Sequence, residues 1–271
     1  MDAGGLIASW PVTHASAVVL ADDGRVVAEY GDQNRVYRLA SVTKLIAAYA
    51  ALIAIEEGVF ELDDPAGPDG STIRHLLAHA SGLDFESPKV VAAPGHRRIY
   101  SSPGFAALAE EMAQKSGIPF AEYARQAVLE PLQMTATTIS GATGKLDDGA
   151  DSSCADLKKF AAELLNPTLV SRQTVDAATV PVFAGLDGVL PGFGRQTPNP
   201  WGLGFEIRGA KSPHWTGTRN STQTFGHFGQ TGTFLWVDRQ AQKACIALTD
   251  HDFGPWAVEA WPSFSDAVID L

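Results

Sequence analysis

The chain has 271 residues, of which 45% are hydrophobic and 19% charged, and it carries a net charge of −11. That is ordinary globular composition, long enough for one large domain or two interleaved lobes, and it excludes a disordered chain. Nucleic acids and anionic membranes require a basic footprint that so acidic a chain does not offer. No segment reaches the roughly 18 consecutive apolar residues of a membrane span.

In chain order, the opening predicts a hairpin, with apolar runs Ala17–Leu20 and Val26–Tyr30 joined through Asp23-Gly24. A short stretch, Val36–Leu39, leads into Ser41. Thr43–Glu57 is apolar on nearly every side, which predicts a buried helix ended by Gly58. Further helices are expected at Ile73–His79, from Pro103 to about Lys115, at Phe120–Leu129 and at Ala155–Leu165. Residues 183–200, rich in Gly and Pro, read as an irregular connection. Strand character returns at Leu203–Ile207, Thr233–Val237 and Ala244–Thr249, and a last amphipathic helix spans about Trp256–Ile269.

Strands at both ends with helices between them predict an α+β fold, an α/β sandwich. Its antiparallel sheet would come from the N- and C-terminal segments, flanked by helices, with a helical lobe inserted. Residues 1–40 and 201–271 are assigned to the sheet-containing lobe and 41–200 to the mainly helical lobe, with the active site between them. Cys154 and Cys245 are read as two free thiols. With no Lys or Arg before Arg25, the positive start of a secretory signal is missing, and a cytoplasmic location is expected. The oligomeric state is left open.

Gly-x-Ser-x-Gly, P-loop, complete Gly-x-Gly-x-x-Gly and His-Glu-x-x-His patterns are all missing. His75 and His79 fall four apart on one helix face, the spacing of two metal ligands. No Glu follows the first and no third ligand is evident, so both are expected to hydrogen-bond the loop after the helix. Neither metal nor cofactor is expected.

Ser41-Val42-Thr43-Lys44 is the positive signal. A Ser-x-x-Lys pair is weak by itself, but this one opens a buried apolar helix directly after a short strand. Residues three apart share a helix face, so the Lys44 amine can reach the Ser41 hydroxyl. Burial penalises the ammonium and makes the lysine a proton acceptor, while the helix N-terminus offers N–H groups to developing negative charge. A Ser cap with a snorkelling Lys is the competing reading. Arg98-Ile99-Tyr100-Ser101-Ser102-Pro103 adds a phenol able to shuttle protons, or else an aromatic anchor. Gly226-His227-Phe228-Gly229-Gln230-Thr231-Gly232-Thr233 suggests a strand closely approached by backbone or ligand, or a bulged edge strand.

In this order and spacing the elements resemble the serine β-lactamase and penicillin-binding DD-peptidase superfamily, above all its class C-like branch, which includes cytoplasmic esterases. Arg38-Leu39-Ala40-Ser41-Val42-Thr43-Lys44 looks like the entry to the nucleophile helix, and Ile73–Leu83 like the family's structural His-Leu-Leu-x-His-x-Ser-Gly-Leu segment. Pro94-Gly95 followed by Tyr100-Ser101-Ser102 resembles the Tyr-Ser-Asn loop, Trp201–Phe205 the start of a core strand, and His227-Phe228-Gly229 stands in the place of Lys-Thr-Gly.

The resemblance implies that Ser41 acylates while Lys44 and Tyr100 exchange its proton, with the N–H groups of Ser41 and Gln230 as oxyanion hole. Tyr100 would then serve as base toward the hydrolytic water. Ser102, His227, Phe228 and Gly229 would meet the substrate. Ser102 replaces an Asn amide, His227 a permanent positive charge and Phe228 a Thr hydroxyl. These changes weaken the case for a β-lactamase or DD-peptidase proper but leave the acyl-transfer machinery intact, so the expected reaction is hydrolysis of a small-molecule acyl substrate, a carboxylic ester above an amide or β-lactam. A catalytically inactive binding protein of the same fold is the competing class. His227, with an ordinary pKa near 6.5, is expected to become a cationic carboxylate sensor as pH falls from about 8 to 6.

Overall fold

The computed structural model describes residues 2–271. The chain begins with helix α1 (Ala3–Ala8), strands β1 (Ala15–Ala21), β2 (Val26–Tyr30) and β3 (Tyr37–Arg38), and a 3-10 turn over Ala40–Val42. Helices α2 (Thr43–Glu56), α3 (Ile73–Leu77), α4 (Ser102–Ser116) and α5 (Phe120–Ala124) follow, the last running into a π turn over Arg125–Leu129. Next come β4 (Thr138–Ile139), β5 (Ala150–Ser152), α6 (Cys154–Leu165), α7 (Arg172–Ala178), β6 (Gly188–Leu190) and β7 (Gly194–Gln196). The chain closes with β8 (Glu206–Ile207), β9 (Phe225–Gly229), β10 (Thr233–Asp238), β11 (Lys243–Thr249) and α8 (Pro255–Ile269).

The main sheet has the order β2-β1-β11-β10-β9-β8, antiparallel throughout, so N- and C-terminal strands do share one sheet. Alternation along the strands feeds two cores. Val18, Leu20, Ile246 and Leu248 face a large core with α2 and α6, while Ala17, Val19, Cys245 and Ala247 face a smaller one with α1 and α8. Because both faces are covered, β1 and β11 read as unbroken apolar runs. Helix α2 sits inside the larger core with Thr43 through Ala54 all buried, which explains its all-round Ala, Leu and Ile character. Cys154 and Cys245 are buried and free. Among the described residues no helix is long and apolar enough to cross a membrane.

Several expected boundaries shift. The strand expected over Leu203–Ile207 shrinks to Glu206–Ile207, because Gly204 (φ +85°) turns the chain against α2, where a Cβ would stand 2.1 Å from Ala48 Cβ. Tyr37–Arg38 pairs with β5 in a separate three-stranded sheet. Helix α3 stops at Leu77, two residues early, because His79 turns into the left-handed region at φ +53°. The segment 183–200 contains the β6–β7 hairpin. Neither α1 nor α7 has a predicted counterpart.

Candidate active site

Ser41 sits in the middle of the 3-10 turn that leads into α2, directly after Ala40, a non-glycine residue at φ +46°. Backbone held in that region is strained and persists where the surroundings enforce it. Here the surroundings are two glycines. Gly144 (φ +76°) lies so close that a Cβ would stand 2.4 Å from the Ala40 carbonyl oxygen and 2.9 Å from the Ser41 nitrogen. Gly229 at the end of β9 comes as near from the other side, where a Cβ would meet the Leu39 oxygen at 2.3 Å.

Three predicted residues converge on one oxygen. The Tyr100 hydroxyl donates to Ser41 Oγ at 2.6 Å, and Lys44 Nζ approaches the same atom at 3.4 Å. Lys44 is fully buried. Its amine also donates to the Thr143 carbonyl and reaches Ser102 Oγ at 3.5 Å. Burial, opposed by Asp148 and reinforced by Lys145, pushes the Lys44 pKa down from 10.5 to about 7. Burial pushes the Tyr100 phenol up, and its hydrogen bond with Ser41 only partly offsets this. Tyr100 is therefore a protonated phenol at rest and Lys44 the available base.

The loop carrying Tyr100 is fixed from below. Arg98 is buried and donates to the carbonyls of Ala78, Val182, Phe183 and Asn199. Burial lowers its pKa to about 10, which leaves it a cation clamped by backbone dipoles. The imidazole of His79 accepts from the Ser101 amide through Nδ1 at 3.1 Å, and its ring lies 4.6 Å from that of Tyr100. His75 Nδ1 pairs with Thr72 Oγ1 at 2.9 Å. The expected loop contact thus belongs to His79, whereas His75 turns back to the start of its own helix. Ser101 Oγ caps α4 by accepting from the Gly104 amide at 3.1 Å, leaving Ser102 to face Lys44.

A cavity of about 670 Å³ is lined by Ser41, Tyr100, Ser102, His227, Phe228 and Gln230, among others. Two expectations fail within it. His227 is buried, and its Nδ1–H donates to the Phe228 carbonyl at 2.6 Å. Burial and the nearby Lys44 push its pKa down to about 3, so it stays neutral where it was expected to turn cationic. The Phe228 ring lines the cavity and also packs into the smaller core, with ring centroids 4.9 Å from Phe253 and 5.8 Å from Trp215. Gly229 does not line the cavity and acts through its approach to Leu39.

Two contributors lie outside the motifs. Thr143 and Gly144 hold Lys44 and the Ala40–Ser41 backbone, and the glycines at 141, 144 and 149 were their sequence signal. Glu206 also lines the cavity and accepts from Lys211, from His214 at 3.0 Å and from Trp215 Nε1 at 2.8 Å. Burial would raise its pKa, but His214 and Lys211 hold it well below the carboxylate range.

A family profile described as Beta-lactamase matches residues 12–264. The D-alanyl-D-alanine-carboxypeptidase/endopeptidase AmpH of Escherichia coli is 27% identical over 175 residues, 47% of this chain and 46% of that protein. The chain thus spans about half the length of the curated relatives it matches. A crystal structure of a beta-lactamase from Mycobacterium bovis is 54% identical and superposes with a TM-score of 0.96, covering 99% of this chain and 98% of that one. EstCE1, a hydrolase with promiscuous acyltransferase activity, shares the fold at 18% identity, with a TM-score of 0.79 over 98% of this chain and 97% of its own.

Proposed function

The chain belongs to the Beta-lactamase family, and from that premise we propose that it is a serine hydrolase that forms an acyl-enzyme on Ser41 and acts on carboxylic esters. One observation carries the reading: two proton-transfer groups, Tyr100 at 2.6 Å and Lys44 at 3.4 Å, meet on a single serine oxygen. Neutral Lys44 takes the Ser41 proton as the oxygen attacks the ester carbonyl. The backbone N–H groups of Ser41 and Gln230 hold the resulting oxyanion. Tyr100 protonates the departing alkoxide and recovers a proton from Lys44. Water then attacks the acyl-enzyme, its proton returning through the same pair, and the carboxylic acid leaves.

Esters are preferred over β-lactams and D-Ala-D-Ala peptides because a neutral, buried His227 occupies the place of a cationic lysine. A substrate carboxylate finds no fixed charge there. The 54% identity to a protein described as a beta-lactamase favours lactam hydrolysis as a second reading. Incubation with p-nitrophenyl butyrate, nitrocefin and a serine-directed phosphonate separates them. The ester is expected to be turned over with the higher kcat/KM. Faster turnover of nitrocefin would assign the second reading, and inertness toward all three would assign a binding protein.

A further inference from the structure

We propose that the substrate ester carries an extended apolar chain, which lies in a groove running from Ser41 past Phe85 and Tyr100 to Val189. This rests on the ester-hydrolase reading and names the substrate class it leaves open. The cavity at Ser41 continues into a second one of about 420 Å³, and the two share Phe85, Tyr100 and Pro191. Beyond Tyr100 the walls are Val91, Ile99 and Val189, with Asp84 and Arg97 at the rim. The Arg98 guanidinium, which could have made this wall cationic, is turned inward onto four carbonyls.

The surface around the mouth supports the same reading. Among the described residues, nine large apolar side chains are exposed, and Phe85, Val90, Val91, Leu146 and Val189 line the cavities around this mouth. Val189 is 58% and Leu146 70% exposed. Apolar side chains scattered singly need no explanation, whereas a cluster at the rim of a cavity marks a binding groove. Continuity decides the occupant. A chain attached to the carbonyl at Ser41 enters the groove across the Tyr100 ring, whose hydroxyl holds the nucleophile. The Arg98–Gly188 bridge, with the Arg98 amide donating to the Asp187 carbonyl at 2.9 Å, fixes Val189 opposite Ile99 as a preformed wall.

Two substrate series test this: p-nitrophenyl esters from acetate to decanoate, and acetates of alcohols of increasing length. In one series kcat/KM should rise about threefold to fourfold per methylene until the groove is filled, and the responding series tells whether acyl or alcohol chain occupies it. In Val189→Asp the ratio of long-chain to short-chain kcat/KM should fall at least tenfold. A flat response in both series, or an unchanged ratio in Val189→Asp, overturns the proposal while leaving the ester-hydrolase reading intact. Should no ester be turned over, that reading fails, and the groove is read directly with Ser41→Ala protein and the neutral probe N-phenyl-1-naphthylamine. Displacement of the probe by decyl acetate, weakened in Val189→Asp, supports an apolar-chain site. Displacement insensitive to Val189, or Val189-dependent binding to neutral lipid vesicles without displacement, overturns it.

Discussion

Lys44 Nζ lies 5.1 Å from the centroid of the Tyr100 ring, and both side chains hydrogen-bond the same atom, Ser41 Oγ. The ring face favours the ammonium, whereas burial disfavours it. The outcome is an amine poised near neutrality beside a phenol that keeps its proton. On the proposed reading, with Ser41 as nucleophile, a base and an acid set apart in this way would form a circuit that takes a proton from serine and delivers it to a leaving oxygen.

Ser41 is expected to be the serine labelled by a fluorophosphonate, with the adduct located by peptide mass mapping. Ser41→Ala should lower kcat by at least about 10³, as loss of a nucleophile from a coupled set does. An adduct on Ser101 or Ser102, which directly follow Tyr100, would sink the assignment.

Lys44→Met should abolish turnover and stabilise the fold. A pKa lowered from 10.5 to about 7 means that the unfolded chain binds more protons than the native one between those values. Wild-type stability should therefore rise with pH across that window. Below about pH 7 the buried amine disfavours folding by on the order of 5 kcal/mol. Denaturant melts of both proteins from pH 6 to 10 should show the variant ahead at the acid end and the gap closing upward. Wild-type kcat/KM should rise through about pH 7 as Lys44 loses its proton. A wild type more stable than Lys44→Met at pH 6 would contradict the burial argument.

Gly144→Ala should damage activity and stability together. The new Cβ would face backbone at 2.4 Å in a residue held at φ +76°, so the 141–149 loop must move and carry the Thr143 carbonyl away from Lys44. A loss of about 1–3 kcal/mol and at least tenfold in kcat is expected. Gly185→Ala is the control, because Gly185 has φ +87° but no atom within 4 Å of a new Cβ. It should lower Tm and leave kcat alone. Equal kcat in the two variants would show that the loop does not hold the site.

The sequence made α2, the β1–β2 hairpin and strands β10 and β11 legible because their signals are local: apolar runs of the right period, bounded by turn residues. It was silent on β4 and β5, two and three residues long, and on the partner of the short strand before Ser41, because β3 meets β5 across more than 100 positions, as between Tyr37 and Ser152. Ser41, Lys44 and Tyr100 were legible because a motif and a helix place them. The wall formed by Thr143 and Gly144 was not, since loop glycines announce a close approach without saying to what. His227 misled for a related reason. Every residue of β9 is buried, so alternation could not tell which side chains face the cavity or how dry they are.

That error yields the last prediction. Were His227 a carboxylate sensor, an anionic ligand would bind more tightly as pH falls from 8 to 6, and the trend would vanish in His227→Gln. With the ring held near 3 and its Nδ1–H committed to the Phe228 carbonyl, His227 is neutral at both ends of the range. Lys44, near 7, does gain charge over it. Binding of an anionic acyl ligand to Ser41→Ala protein should therefore strengthen toward pH 6, by about fivefold for an added attraction of roughly 1 kcal/mol. The same gain is expected in the Ser41→Ala/His227→Gln double variant. A neutral ester should bind alike at both pH values. The measurement must be a Kd, because protonating Lys44 also removes the base and would lower kcat over the same range. A trend present with His227 and absent without it would restore the histidine as the sensor and require its imidazole to be far better hydrated than its burial at 4% exposure allows.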